Sequence, residues 1–315
     1  MRGAGVLAGV LAAALVIDLG GGVRDAAGAL ARRDAATACE GNRPAMPTLF
    51  YELRSGAFPS TGRPDVAVHV PPGFDATRHP SMVVYFHGWN GCVGTALADD
   101  DAPCSDGGAP RRASGLARQL DDAGVNALLV AVELSADAPS GDPGDLMEDD
   151  GLRTLLSELL AEHLSPELGC TLELERLDRV VVVAHSGGYQ AAAAVMQRGG
   201  VALSEVVLLD AYYGADEVFR GWARDAVDDF DGTRRFVDLY TCCGGTLERS
   251  RALTEELRTR DGAGLALYDD DGPDFAEESA AAPVVVARVP EPHAEVPFVR
   301  FGSVLRRAGM ARVDR

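Results

Sequence analysis

Residues 179–190 read RVVVVAHSGGYQ, a run of valines that leads into a serine flanked by small residues and then into an alanine-rich segment. Four consecutive valines are typical of a strand buried on both faces, because β-branched side chains pack well on the pleat and helices cover both sides of a parallel sheet. Ala184, Gly187 and Gly188 leave room for a sharp turn around Ser186. The stretch therefore predicts a buried strand, a tight turn and a helix.

A strand-to-helix turn of this kind is typical of a nucleophile elbow, which exposes a serine hydroxyl at the end of a strand. Ala184 stands where the G-x-S-x-G pattern of that elbow has glycine. The segment GGYQAAAAVMQRGG favours the elbow, because it combines helix formers with a glycine pair at its end. The alternative is a tight strand-to-helix turn in which Ser186 has no chemical role.

The rest of the chain alternates strand-like and helix-like runs, which predicts a mostly parallel sheet with helices on both faces. Its 315 residues, 47% of them hydrophobic, suffice for one large α/β domain. We expect this domain at residues 48–315, with long loops at 90–111, 133–150 and 261–282. Eight strands are predicted, within TLFYELRS, DVAVHVP, SMVVYFHG, NALLVAVE, RVVVVAHS, EVVLLDAYYG, RRFVDLYT and APVVVARVP.

Charge limits the partners and the chemistry. The chain has 48 acidic and 29 basic residues, a net charge of −19, which argues against binding to nucleic acid or to an anionic membrane surface. The acidity of the loops 90–111 and 133–150, which we expect to shape a substrate pocket, argues weakly against anionic substrates. All the basic residues are arginine, so a lysine base or Schiff-base nucleophile is excluded.

Residues 1–31 resemble a secretory signal or other N-terminal targeting segment, followed by a linker at 32–47. Arg2 precedes an apolar run at 6–17, which Asp18 ends too early for a stable membrane span. Small residues near 27–31 offer a cleavage site. We therefore expect a secreted or periplasmic protein, with lipid attachment at Cys39 as the less favoured alternative.

Six cysteines are compatible with an oxidising compartment. Cys92 and Cys104 lie 12 residues apart across a loop, and a local bridge between them is the favoured pairing. No C-x-x-C motif or His/Cys cluster with zinc spacing occurs, and the acidic runs at 99–101 and 268–272 lack the alternating spacing of a calcium loop. We therefore predict no metal site.

A serine nucleophile needs a general base, usually a histidine that a carboxylate orients. Of the six histidines, His293 in RVPEPHAEVPF is the best placed, because it follows the last predicted strand and strand ends gather at one edge of a parallel sheet. The other five lie in a strand, a turn or a helix, at a strand end, or directly beside Ser186. The alternative for His293 is a surface loop histidine without a catalytic role.

Asp210 is the favoured orienting acid because it ends the apolar strand EVVLLD, where an unpaired carboxylate would be costly. Asp238 in FVDLYT is its rival, although it lies three residues short of its strand end, and Asp216 is a weaker third candidate.

A tetrahedral intermediate also needs hydrogen-bond donors for its oxyanion. The backbone N–H groups of Gly187 and Trp89 are the candidates, the second within HGWNG after the third strand. Gly88 would let this turn approach the site, and His87 would support it.

With these motifs the chain resembles the α/β-hydrolase superfamily over residues 48–308. The resemblance rests on AHSGG, on HGW, and on the chain order Ser186, Asp210, His293. It departs from the commonest pattern at Ala184. It also departs in the position of the acid, because Asp210 follows the sixth predicted strand, whereas the commonest pattern has its acid in the seventh, where Asp238 lies.

The resemblance implies cofactor-free hydrolysis, and the leading expectation is a secreted bacterial serine hydrolase that cleaves a carboxylic ester through an acyl-enzyme. Its substrate would be a small molecule or an acyl ester. An amidase or peptidase with the same residues is one alternative. A non-catalytic binding protein is another, and a distance above about 6 Å between Ser186 and His293 would favour it.

Overall fold

The structure is a computed structural model that describes residues 46–59, 63–105, 107–135, 141–229, 232–259, 265–268 and 282–313. The targeting segment predicted at 1–31, the linker and Cys39 lie outside the described residues. The strands are β1 (Leu49–Tyr51), β2 (Val66–His69), β3 (Ser81–Phe86), β4 (Ala102–Pro103), β5 (Pro110–Arg111), β6 (Ala127–Val132), β7 (Val180–His185), β8 (Glu205–Leu209), β9 (Arg235–Tyr240), β10 (Leu265–Tyr268) and β11 (Val284–Arg288).

Helices separate most of these strands, as expected for an α/β chain. Short 3₁₀ turns lie at Ser186–Gly188 and His293–Glu295, and a π-helix at Leu159–Leu164 joins α3 to α4. The α-helices are α1 (Val93–Leu97), α2 (Leu116–Ala123), α3 (Gly151–Glu158), α4 (Ser165–Leu168), α5 (Tyr189–Arg198), α6 (Asp216–Asp228), α7 (Leu247–Arg258) and α8 (Val296–Leu305).

Nine strands form the main sheet in the order β1-β2-β6-β3-β7-β8-β9-β11-β10. Only β2 runs antiparallel to its neighbours β1 and β6, and the other pairs are parallel. The carboxyl ends of β7, β8, β9 and β11 therefore lie side by side at one edge of the sheet. The segments that follow these strands begin at this edge. Three of them start with Ser186, Asp210 and Thr241, and the fourth leads to His293.

Both faces of the sheet are covered, as the valine run predicts. Along β7, Val182 faces a layer that includes α3, α5, α6 and α7, whereas Val181 and Val183 face a layer that includes α1, α2 and α8. In α2, Leu116, Leu120 and Ala123 point into the second layer, a spacing of about one helical turn. Because alternate side chains of the strand point to opposite faces, β7 contributes to two separate hydrophobic cores.

The structure differs from the sequence expectations in two places. The sheet has nine strands rather than eight, because Leu265–Tyr268 adds an edge strand beside β11 within the segment expected to be a loop. The loop expected at 90–111 contains α1 and the antiparallel pair β4 and β5. Elements of two to five residues are too short for a hydrophobic period to reveal them.

Disulfide bonds stabilise two of the loops. The favoured pairing of Cys92 with Cys104 is confirmed, and a second bridge joins the adjacent residues Cys242 and Cys243 just after β9. Cys170 is disulfide-bonded as well. Among the described residues, no helix is long and apolar enough to cross a membrane.

Candidate active site

Ser186 lies in the sharp turn that the sequence predicts. It follows β7 directly and precedes α5, and its φ of 52° is in the left-handed region that side chains other than glycine rarely adopt. Gly188 is required beside it, because a Cβ there would lie 2.4 Å from the carbonyl oxygen of Phe86 in the adjacent strand. The turn therefore combines backbone strain with close packing, a combination common at functional sites.

The structure brings three of the predicted residues into one chain of hydrogen bonds. His293 Nε2 lies 2.9 Å from Ser186 Oγ, and His293 Nδ1 lies 2.6 Å from Asp210 Oδ2. Because a carboxylate can only accept, Nδ1 carries the ring hydrogen towards Asp210 and Nε2 is left to accept from the serine hydroxyl. This is the arrangement in which a histidine can take a proton from serine.

The Asp210 carboxylate is fully buried and is held by the turn Thr241–Thr246, which reads TCCGGT. Thr241 donates to it through its backbone N–H at 3.0 Å and its hydroxyl at 2.9 Å, and the Thr246 hydroxyl donates a further hydrogen bond. Burial by itself would raise the pKa of Asp210, but the hydrogen bonds from His293, Thr246 and Thr241 outweigh it and keep that pKa below its ordinary value. The carboxylate therefore stays charged.

The same turn contains the Cys242–Cys243 bridge, and both cysteines are exposed while Thr241 and Thr246 are buried. Space inside the turn is tight. A Cβ on Gly244 would lie 2.4 Å from Asp210 Oδ2, so the backbone approaches the carboxylate as closely as a residue without a side chain allows.

Asp238, the rival acid, lies in the middle of β9 and away from the histidine. Its side chain points into the same layer as Phe236 and Tyr240, beneath α7. Neither of its carboxylate oxygens has a hydrogen-bond partner among the described residues, and the buried Ser250 hydroxyl has none either. Burial raises the pKa of Asp238 to about 7; the Ser250 hydroxyl lowers it in part, and the charge on Asp210 adds to the rise.

Two further rings contact His293. The His185 ring stacks on it at 4.8 Å between ring centroids, and His185 Nε2 lies 3.1 Å from the His293 carbonyl oxygen, to which it donates. Burial, and then the proximity of His293, keep the pKa of His185 well below its ordinary value, so it acts as a neutral donor. Tyr213 meets the His293 ring edge-on, and burial raises the pKa of its hydroxyl to about 12.

The turn after β3 leaves the backbone N–H of Trp89 without a hydrogen-bond partner among the described residues. The carbonyl oxygen of Gly88 accepts from the N–H of Gly91 at 3.0 Å and from His87 Nδ1 at 2.9 Å. In a trans peptide the C=O and the next N–H point in opposite directions, so these two bonds aim the Trp89 N–H away from them. That N–H has no hydrogen-bond partner among the described residues.

His87 and Gly88 hold this turn against Ser186. The Leu134 N–H donates to His87 Nε2 at 2.9 Å, so the ring hydrogen is on Nδ1 and serves the Gly88 carbonyl. A Cβ on Gly88 would lie 2.6 Å from Ser186 Cβ. The turn and the Ser186 elbow are therefore in direct contact. In the part of the chain that the structure describes, no group of three His, Cys, Asp or Glu side chains is arranged to hold a metal ion.

From the sequence alone, neither Thr241 nor Thr246 is proposed for the site. His185 is not proposed as a hydrogen-bond donor to His293 either. A signal for the threonines was present, because TCCGGT follows directly on an apolar strand that lies next to the one ending at Asp210. Trp222 donates its indole N–H to the carbonyl oxygen of Arg235 and lines a different cavity.

Comparison with solved structures finds proteins to which this chain is similar. The feruloyl esterase module from Clostridium thermocellum, a mutant complexed with sinapinate, has a TM-score of 0.51 and 10% identity, over 89% of this chain and 98% of that chain. The chain has the α/β-hydrolase fold. An S-formylglutathione hydrolase from Agrobacterium tumefaciens is also similar, with a TM-score of 0.45 and 13% identity, over 87% and 99% of the two chains. No protein-family model and no curated protein sequence matches.

Within this α/β-hydrolase fold, the carboxylate that reaches His293 comes from the end of β8. Asp210 follows β8, which lies next to β7, its φ is 47°, and its Oδ2 lies 2.6 Å from His293 Nδ1. The end of the next strand, β9, supplies Thr241 as a hydrogen-bond donor. The end of β8 therefore provides the carboxylate, and the end of β9 provides a donor that holds it.

Proposed function

We infer that this α/β-hydrolase is a serine esterase that cleaves a carboxylic ester through an acyl-enzyme. Ser186 Oγ attacks the ester carbonyl while His293 Nε2 takes its proton, and the alcohol leaves with that proton. Water then attacks the acyl-enzyme with the same histidine as base, which releases the acid and restores Ser186.

The observation that carries this proposal is the chain of hydrogen bonds from Ser186 through His293 to Asp210, at 2.9 and 2.6 Å. Both distances are within hydrogen-bond reach before any substrate binds. Asp210 would hold the ring in the tautomer that leaves Nε2 free, and would stabilise the imidazolium that forms during attack. The short distance between Ser186 and His293 also argues against a non-catalytic binding protein, which a separation above about 6 Å would favour.

The Trp89 and Gly187 N–H groups are the proposed donors for the oxyanion. The direction of the Trp89 N–H follows from the two bonds to the Gly88 carbonyl, and Gly187 directly follows the nucleophile. Such fixed donors stabilise the charge that develops on the carbonyl oxygen, and the loss of one typically costs about 10²- to 10³-fold in kcat. His87 and Gly88 would act by positioning this turn.

The test is hydrolysis of p-nitrophenyl acetate by the wild type and by Ser186→Ala, with Ser303→Ala as the matched control on α8. The proposal expects Ser186→Ala to lower kcat at least about 10³-fold and Ser303→Ala to retain activity. Equal rates for all three proteins would refute it. A parallel assay with aminoacyl anilides addresses the amidase or peptidase alternative, which faster turnover of the anilides would support.

Export of the protein is part of the proposal. The Cys92–Cys104 and Cys242–Cys243 bridges support a secreted or periplasmic location, because disulfides persist mainly in oxidising compartments. Expression with the complete N-terminus, followed by detection of the mature protein outside the cytoplasm, tests this point.

A further inference from the structure

A cavity of about 340 Å³ opens beside the nucleophile, between the turn after β3, the β4–β5 pair and the start of α8. Its lining includes Gly88, which contacts Ser186, and His185, which contacts His293. This volume lies within the range of small-molecule sites, and the cavity is the natural place for the part of a substrate that extends from the scissile ester.

The charge of this cavity is opposite to that of the chain. Two arginines, Arg111 and Arg112, line it, and none of the described lining residues is Asp or Glu. The chain as a whole has a net charge of −19. Arginines without carboxylates in the lining of a cavity favour a negatively charged ligand group there.

The two arginines have different surroundings. Arg112 Nη1 donates to Glu295 at 3.1 Å, and its guanidinium lies over the Phe298 ring at 5.4 Å, so its charge is already engaged. Arg111 is exposed and has no ion pair among the described residues. Its charge is therefore available to a ligand in the cavity.

The backbone that carries Arg111 is held from two sides. Arg111 pairs with Ala102 in the β4–β5 ladder, close to the Cys92–Cys104 bridge, and Cys92 itself lines the cavity. Two residues further on, the Ala113 N–H donates to the Asp101 carboxylate at 2.9 Å. A fixed backbone lowers the entropy lost when a side chain binds a ligand.

We propose that the substrates of this site are esters that also bear a carboxylate, and that Arg111 binds this carboxylate in the cavity beside Ser186. A guanidinium suits the task because its planar fork of N–H donors matches a carboxylate. The inference rests on the proposed esterase function and adds a substrate class to it. It runs against the expectation drawn from the acidity of the neighbouring loops, because none of the described residues that line the cavity is Asp or Glu.

The test compares two pairs of esters that differ only by a carboxylate in place of a terminal methyl group. Monomethyl adipate and methyl hexanoate place it on the acyl side, and 4-acetoxybutanoate and butyl acetate place it on the alcohol side. Acid release in a pH-stat gives kcat and KM for each. For at least one pair, the wild type should show a kcat/KM about tenfold higher for the charged ester.

Arg111→Gln should lower that charged-to-neutral ratio about tenfold, mainly through KM. Arg251→Gln removes the same charge from an exposed position on α7 and is the matched control. Equal ratios in all three proteins would overturn the inference while leaving the esterase proposal intact. So would an equal loss in Arg251→Gln, since that result indicates a general field effect. Absence of turnover with all four esters and p-nitrophenyl acetate would refute the esterase proposal, and the inference with it.

Discussion

Asp238→Asn should stabilise the protein, and increasingly so as the pH rises. Asp238 is a fully buried carboxyl in β9 without a hydrogen-bond partner among the described residues, and burial raises its pKa from 3.8 to about 7. In the unfolded chain the carboxyl loses its proton near pH 3.8, whereas in the folded chain it keeps the proton until about pH 7. Folding must therefore take up a proton between these values, and the stability of the wild type falls as pH rises through this window.

The size of the effect follows from the pKa difference. A rise of about 3 units corresponds to a loss of about 4 kcal/mol once the pH is above 7, at 1.36 kcal/mol per unit. At pH 5.5 about half of this loss has occurred. Asparagine fills nearly the same volume and does not ionise, so the advantage of Asp238→Asn over the wild type should grow by about 2 kcal/mol between pH 5.5 and pH 8.

Urea unfolding followed by the fluorescence of the two tryptophans measures this difference. The pH series starts at 5.5 because the isoelectric point is about 4.6. Asp149→Asn, which removes an exposed carboxylate, is the matched control. A stability difference between Asp238→Asn and the wild type that stays constant from pH 5.5 to pH 8 would show that Asp238 is not a protonated buried acid.

Three further predictions concern catalysis, each measured as kcat for p-nitrophenyl acetate. Asp210→Asn should lower kcat by about 10³- to 10⁴-fold, because the amide no longer holds the His293 tautomer. Asp238→Asn should stay within about threefold of the wild type. The reverse order would transfer the role of acid to Asp238. Gly88→Ala should lower kcat at least about tenfold, because its Cβ would lie 2.6 Å from Ser186 Cβ, while Gly94→Ala, with nothing within 4 Å, is the control; equal rates would contradict the contact. His185→Phe keeps a ring against His293 but loses the bond to its carbonyl oxygen, so kcat should fall roughly tenfold with little change in KM; an effect on KM alone would contradict a positioning role.

The strands and the serine turn could be predicted because their signals are local. The valines of β7 indicate burial on both faces, and the small residues around Ser186 indicate a turn in which the chain approaches itself closely. His293 could be proposed because few histidines follow a strand end. These inferences need only composition, spacing and the rule that parallel strands end at one edge.

The sequence alone separates Asp210 from Asp238 less clearly, because both belong to neighbouring apolar strands. In the structure only Asp210 reaches His293, and the two aspartates differ in their position along the strand. Asp210 comes after the last residue of β8, whereas Asp238 alternates with Val237 and Leu239 inside β9 and faces a helix layer. The alternation of side chains along a strand predicts that Asp238, like its second neighbours, faces one layer of helices.

Other features depend on contacts between distant parts of the chain. Thr241 and Thr246 reach Asp210 across 31 and 36 residues, and the conformation of the turn between them decides which donors point at the carboxylate. The β4–β5 pair that positions Arg111 has only two residues in each strand. Such contacts leave no periodic pattern in the sequence, so they become visible only in the folded chain.

The most direct test of the account is covalent labelling of the intact protein with a fluorophosphonate, followed by peptide mass spectrometry. The account predicts one adduct per chain, on the tryptic peptide of residues 180–198, in which Ser186 is the only serine. Ser186→Ala should abolish that adduct. Labelling of Ser186→Ala at the wild-type level, or an adduct on a different peptide, would contradict the central claim that Ser186 is an activated nucleophile.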